Sequence, residues 1–302
     1  MLWIYDRVKN EYRQQSIKNT AAITNYYSFE STFSKNDPGL EHALSVGESI
    51  CAPIISKISK GNWRLTVQDR WELAAYIALL WTRTPTYQKK VEALFEAVSK
   101  VELIRLAEDE KRYNEAISHV EKKTGEKLKD REAHRTFMKD PSRYRIDTSR
   151  LASLQTMVVN LKETYEVMYQ MWWNFYYLLP EKAIITSDNP VYVRPFFQTS
   201  NPLGYALLSP HTATFIVLTP NVCMTMINNK EKIGIGKANL DDDMTDDINN
   251  YTALYSRRFV FSGNLELLKS VVNRTSLHSI KPYKLTVSIQ MNATKTLEVT
   301  RE

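Results

Sequence analysis

Apolar and polar residues change their spacing along this chain, and the changes divide it into three stretches. At the start, Leu2-Trp3-Ile4-Tyr5-Asp6-Arg7 alternates with period two and Glu11 to Ser16 reads as a second strand, so Val8-Lys9-Asn10 predicts a hairpin. An aromatic segment, Tyr26-Tyr27-Ser28-Phe29, and the turn signal Asn36-Asp37-Pro38-Gly39 lead into a helical region. From Leu40 to Ile58 the apolar residues form one helical stripe, which Pro53 is expected to kink or divide. Thr66 with Asp69 three residues on is a capping-box variant, and Trp71 to Trp81 is apolar almost all round, which marks a core helix. Pro85 suits the first position of the next helix, where its missing N–H is not needed. That helix is expected from about Tyr87 to the region of His119, with a break near Thr124-Gly125. Another, capped by Thr148 or Ser149, should reach about Met171.

Beyond Met171 the period falls back toward two. Trp172 to Leu179 and Ala183 to Thr186 predict a hairpin around Pro180-Glu181-Lys182, followed by strands near Tyr205 to Leu208, Thr214 to Leu218 and Val222 to Ile227. Asp241 to Tyr255 and Asn264 to Val272 read as helices, with strands at Arg258 to Phe261 and Tyr283 to Gln290. The expected fold is therefore α+β: an N-terminal β-hairpin and aromatic segment (1–30), a helical middle (40–171), and a mainly antiparallel C-terminal sheet with two helices (172–302), all in a single domain.

Composition leaves this picture standing. With 302 residues, 43% of them hydrophobic, the chain can bury a sizeable core, and nothing in it repeats. Its longest apolar run, Leu73 to Trp81, is about half the roughly 20 residues that span a bilayer, so no membrane partner is expected. The opening residues lack the pattern of a secretory signal, and Cys51 and Cys223 suit buried thiols better than a disulfide, which together predict a cytoplasmic protein. The formal charge is +6 and is concentrated: residues 122 to 150 hold ten basic residues against five acidic ones.

Four features carry candidate chemistry. The turn Thr186-Ser187-Asp188-Asn189-Pro190 ends a short apolar strand, where a rigid scaffold can present a carboxylate; it is equally the composition of an Asx turn that bonds its own backbone. Glu41 and Glu48, seven residues apart, align along a helix and can hold a divalent metal, divide acid and base roles, or simply face solvent. Arg83 closes the most apolar helix and must reach solvent or an acidic partner. The basic stretch, with Lys127, Lys129, Arg131, Arg135, Arg143 and Arg145 interleaved with Phe137 and Tyr144, suits contacts to nucleic-acid phosphates, although its acids also fit a solvated surface. The five histidines show no zinc-ligand spacing, and there is no phosphate loop, dinucleotide fingerprint or nucleophile elbow.

Taken together, Leu2 to Arg7, the stretch from Asn19 to Tyr27, Glu41 to Glu48, Arg83-Thr84-Pro85, Thr186 to Val191 and Leu208-Ser209-Pro210 resemble the motif order of a bacterial family, the domain of unknown function 4238 family. The resemblance spans nearly the whole chain and is most specific at Ser187-Asp188-Asn189-Pro190. It implies roles for Glu48, Arg83 and Asp188, which fall on its motifs, and no established activity. It also implies a His-x-Val-Pro segment before the first hairpin, which this sequence starts too late to contain; if that histidine is catalytic, the chain is expected to be truncated, inactive or completed by another polypeptide.

Two expectations follow. The first is a hydrolase or nuclease in which Asp188 and Glu48 supply catalytic carboxylates, Arg83 steadies a phosphate or anion, and Glu41, Ser187 and Asn189 help bind substrate. The second is a non-catalytic regulatory or nucleic-acid-binding protein whose polar residues form a structural network.

Overall fold

The structure is a computed structural model and describes residues 1–16, 39–147, 150–179, 181–195, 207–209, 211–228, 233–279, 285–291 and 296–301. The expected aromatic segment, the Thr148 or Ser149 cap, the turn residue Pro180 and residues 205–206 of the strand expected from Tyr205 to Leu208 lie outside the described residues, while Leu207 and Leu208 form a turn in place of that strand. Two compact units are present, Met1–Gln88 with Leu154–Tyr283, and Lys89–Ser153 with Lys284–Glu302.

The first unit opens with the expected hairpin, β1 (Leu2–Asp6) and β2 (Glu11–Gln15). Its turn places Asn10 at a φ of 53°, which asparagine tolerates, and the Tyr5 hydroxyl donates to Asn10 Oδ1 at 2.9 Å. Helix α1 (Gly39–Ser59) keeps Pro53 inside it without division, and α2 (Val67–Thr82) starts at the Thr66/Asp69 capping box. Two of the three boundaries between the two units fall inside helices α3 (Pro85–Glu108) and α6 (Arg150–Gln170), and the third is between Tyr283 and Lys284; α3 begins at its proline, as expected.

After α6 the chain of this unit turns to strands: β3 (Trp172–Tyr177), β4 (Thr186–Ser187), β5 (Val191–Pro195), β6 (Thr212–Thr219), β7 (Val222–Ile227), β8 (Ile235–Asn239) and, beyond α7 (Asp242–Tyr255), β9 (Phe259–Ser262). With β1 and β2 they build two sheets, of order β5-β6-β7-β3-β8 and β2-β1-β9-β4. Alternation along the first sheet explains its two covered faces. Ile216, Met224, Met226, Trp173 and Phe175 pack with Leu73, Ile77 and Ile54 of α1 and α2, whereas Ala213, Phe215 and Cys223 face Ile248 of α7. The second sheet buries Tyr5 and Val260 against α8 (Leu265–Arg274) through Leu268, Val271 and Val272.

One expected pairing does not form. Trp172 to Leu179 makes no hairpin with Ala183 to Thr186; β3 lies between β7, antiparallel, and β8, parallel. The reason is that residues 183–187 find other partners. Ile184 N–H donates to Pro220 O at 2.8 Å, Ile185 N–H to the buried side chain of Asn249 at 2.9 Å, and β4 pairs with β9. β8 escaped the sequence pattern because it is short and mostly exposed.

In the second unit the expected long helix is divided at Asp109, whose side chain accepts from Arg112 N at 3.0 Å and starts α4 (Glu110–Thr124); Gly125, at a φ of 76°, ends it where expected. Then come α5 (Arg131–Lys139) and a 3-10 turn at Pro141–Arg143. Strands β10 (Leu285–Gln290) and β11 (Thr296–Arg301) form an antiparallel pair, and Val299 packs on Ala93 and Ala97.

Candidate functional site

The Ser-Asp-Asn turn is built around a sheet entry. β9 joins its sheet between β1 and β4, and the residues just before it bring backbone N–H groups that need acceptors. Asp188 supplies them. Its Oδ1 takes Arg257 N–H at 2.8 Å, and its Oδ2 takes Arg258 N–H at 2.8 Å and Phe259 N–H at 3.1 Å. Its own N–H donates to Phe259 O at 3.1 Å, which continues the β4 ladder by one residue. Burial pushes the Asp188 carboxyl up, while these three donors and the Arg7 guanidinium pull the other way.

The flanking turn residues brace this contact. Ser187 Oγ donates to Asn189 O at 3.2 Å and accepts from Asn189 N–H at 3.3 Å, so Ser187 and Asn189 make the local turn bonds. Asn189 Nδ2 reaches further, to Tyr255 O at 3.1 Å. Asp188 is the member that leaves the turn.

From the opposite side, β1 holds the same segment. Arg7 N–H donates to Arg258 O at 2.9 Å, and the Arg7 guanidinium donates to Ser256 O. Asp6 is fully buried and receives Arg258 through Nε at 3.2 Å and a terminal nitrogen at 2.9 Å, together with the N–H groups of Val8 at 3.0 Å and Lys9 at 3.3 Å. Burial alone would raise the Asp6 carboxyl; the Arg258 bond and the two N–H donors outweigh it and hold the group below the ordinary carboxylate range.

Glu48 and Arg83 are brought to each other in an ion pair of 3.3 Å between α1 and the end of α2, with side chains 51% and 29% exposed. The acceptors of Asp188 are taken by the N–H groups of residues 257 to 259 and not by this pair. Glu41 lies in α1, and its side chain is outside the described residues. No group of three or more His, Cys, Asp or Glu side chains is placed to hold a metal among the described residues.

The basic stretch sorts into two sets. Arg131 pairs with Glu121 at 2.7 Å, Arg145 with Asp147 at 2.8 Å, and Arg135 donates to Ala107 O at 2.7 Å and Glu108 O at 3.3 Å, closing the carbonyl end of α3. Lys122, Lys123, Lys127, Lys129, Lys139 and Arg143 are exposed, and among the described residues none has an acid within ion-pair distance. A shallow depression on α4, lined by Asn114, Glu115, Ser118, His119 and Lys122, lies in the same unit.

Sequence reasoning missed Asp6, Arg258 and Arg70 as organising residues. Arg70, buried in the first turn of α2, donates to Tyr169 O at 2.8 Å, Met171 O at 2.5 Å and Gly234 O at 3.2 Å and lies 4.2 Å over the Trp173 ring. A signal was present for Asp6 in the family motif it closes, and for Arg70 in a charge opening an almost wholly apolar helix.

A protein-family model described as "Protein of unknown function (DUF4238)" matches residues 1–265. No curated protein and no solved structure matches the chain. No helix of the described residues is long and apolar enough to cross a membrane.

Proposed function

The chain belongs to the DUF4238 family, and from that membership, which carries no activity with it, we propose a non-catalytic nucleic-acid-binding protein whose motif turn is a structural latch. The observation that carries this reading is the division of charge. The acid at the centre of the motif has both oxygens engaged by backbone N–H groups, while six cations of the helical unit face solvent without an acid partner among the described residues. An acid whose lone pairs are engaged is poorly placed to act as base, nucleophile or metal ligand. Unpaired lysines and arginines on one helical unit match the repeated charge of a phosphate backbone and release its counterions on contact.

The Asp188, Asn189 and Ser187 bonds and the Asp6–Arg258 pair then serve the scaffold, which fixes β9 between β1 and β4. Glu48 and Arg83 form an exposed pair, whose contribution is of the order of 0–1 kcal/mol.

Fluorescence anisotropy of a labelled oligonucleotide, followed across ionic strength, tests this. Wild-type affinity should fall steeply with salt, and replacing Lys122, Lys123, Lys127 and Lys129 by Gln should reduce both affinity and the salt slope, by about 0.7–0.9 in slope for each phosphate no longer neutralised. Binding indifferent to salt or to these substitutions contradicts the proposal. Cleavage of the same oligonucleotide, abolished by Asp188→Ala in a protein that keeps its stability, would return the hydrolytic reading.

A further inference from the structure

Resting on that binding reading, we propose that Phe137 is a stacking platform for an unpaired base, so that the preferred partner is single-stranded nucleic acid. Phe137 and Met138 are neighbours on α5 with opposite fates. Met138 is buried beside Tyr113, whereas Phe137 points away from that cluster and stays 37% exposed. The residue one turn earlier, Ala133, is exposed and small, so the preceding turn adds little cover to the part of the ring that faces solvent.

The ring is held from behind. Tyr144 lies 5.2 Å from it at an interplanar angle of 39°, and Tyr144 is itself fixed, by its hydroxyl bond to Met138 O at 3.0 Å and by Lys100, 5.5 Å from its ring. The 3-10 turn Pro141–Arg143 carries Arg143 to 5.5 Å over the Phe137 ring. An aromatic surface with a cation over one of its faces is an arrangement on which a base can stack against the other while its phosphate meets positive charge.

The charge around the ring favours the same partner. Acids nearby are engaged within the protein: Asp140 takes Ser142 N–H at 3.1 Å and Ser142 Oγ at 2.5 Å, Glu132 lies 3.8 Å from Arg135, and Asp147 lies 2.8 Å from Arg145. Lys139, at the end of α5, and Arg143, at the end of the 3-10 turn, have no ion-pair partner among the described residues. A duplex presents stacked bases whose faces are closed to such a ring, and a single strand presents open ones.

The experiment compares a labelled single-stranded oligonucleotide with the duplex of the same sequence, using the full chain and the variants Phe137→Leu and Phe137→Trp. Leucine keeps an apolar contact with Tyr144 and removes the π face; tryptophan enlarges it. The wild type should prefer the single strand, Phe137→Leu should weaken that binding about 5-fold to 100-fold with the salt slope unchanged, and Phe137→Trp should restore it. Single-strand affinity unchanged in Phe137→Leu, or equal affinity for duplex, overturns the platform and leaves the charge-driven reading in place. No binding of either oligonucleotide at low salt overturns both.

Discussion

Asp6 and Asp188 are both acids at strand ends, yet their surroundings ask different things of them. Asp6 is gripped by a guanidinium and two N–H groups, and its carboxyl is held below the ordinary carboxylate range, so ionisation of this group favours the folded state. The sign follows directly. Its contribution is complete above the ordinary carboxylate value of about 4 and is lost as pH falls through the depressed value. Urea unfolding of wild type and Asp6→Asn at a series of pH values should therefore show a stability gap that is widest near neutrality and narrows below about pH 4. A gap independent of pH would mean that the Asp6 charge adds nothing. The sequence made Asp188 conspicuous, because three polar residues before a proline stand out at any strand end. It did not reveal what Asp188 holds, since backbone N–H groups some seventy positions onward carry no side-chain signature.

Among the elements, legibility followed the range of the interactions. Caps and periods are local, so α2 with its capping box, α3 with its leading proline and the glycine ending α4 could all be read from neighbouring residues. Strand partners are chosen over long distances, and the chain after β3 took β9 and Asn249 in place of β3 itself. Arg70 shows the same limit. It ties the first turn of α2 to the carbonyl end of α6 and to Gly234, and backbone carbonyls 99 to 164 positions onward carry no side-chain signature that could announce those partners. Arg70→Lys should lower the unfolding free energy by about 1–3 kcal/mol, because one ammonium cannot replace a planar fork that serves three carbonyls and a ring face. Chemical denaturation measures this, and a stability within about 0.5 kcal/mol of wild type would show that the fork is dispensable.

Two of the three boundaries between the compact units fall inside continuous helices, α3 and α6. We propose on this ground that the chain folds as one domain, and calorimetry should give a single transition whose calorimetric and van't Hoff enthalpies agree; two resolved transitions would separate the units. The same division assigns different work to the two. The family motifs around Asp188 and Asp6 gather on one unit and build its sheet entry, while Lys122, Lys123, Lys127, Lys129, Lys139 and Arg143, exposed and without an ion-pair partner among the described residues, lie on the other. The latch reading requires that the motif turn hold the fold together. Equilibrium unfolding of Asp188→Ala tests it most directly: removing the carboxylate leaves the N–H groups of Arg257, Arg258 and Phe259 without acceptors, and a loss of about 2–4 kcal/mol is expected. Wild-type stability in Asp188→Ala, accompanied by loss of an activity on nucleic acid, would contradict the latch and make Asp188 a catalytic residue.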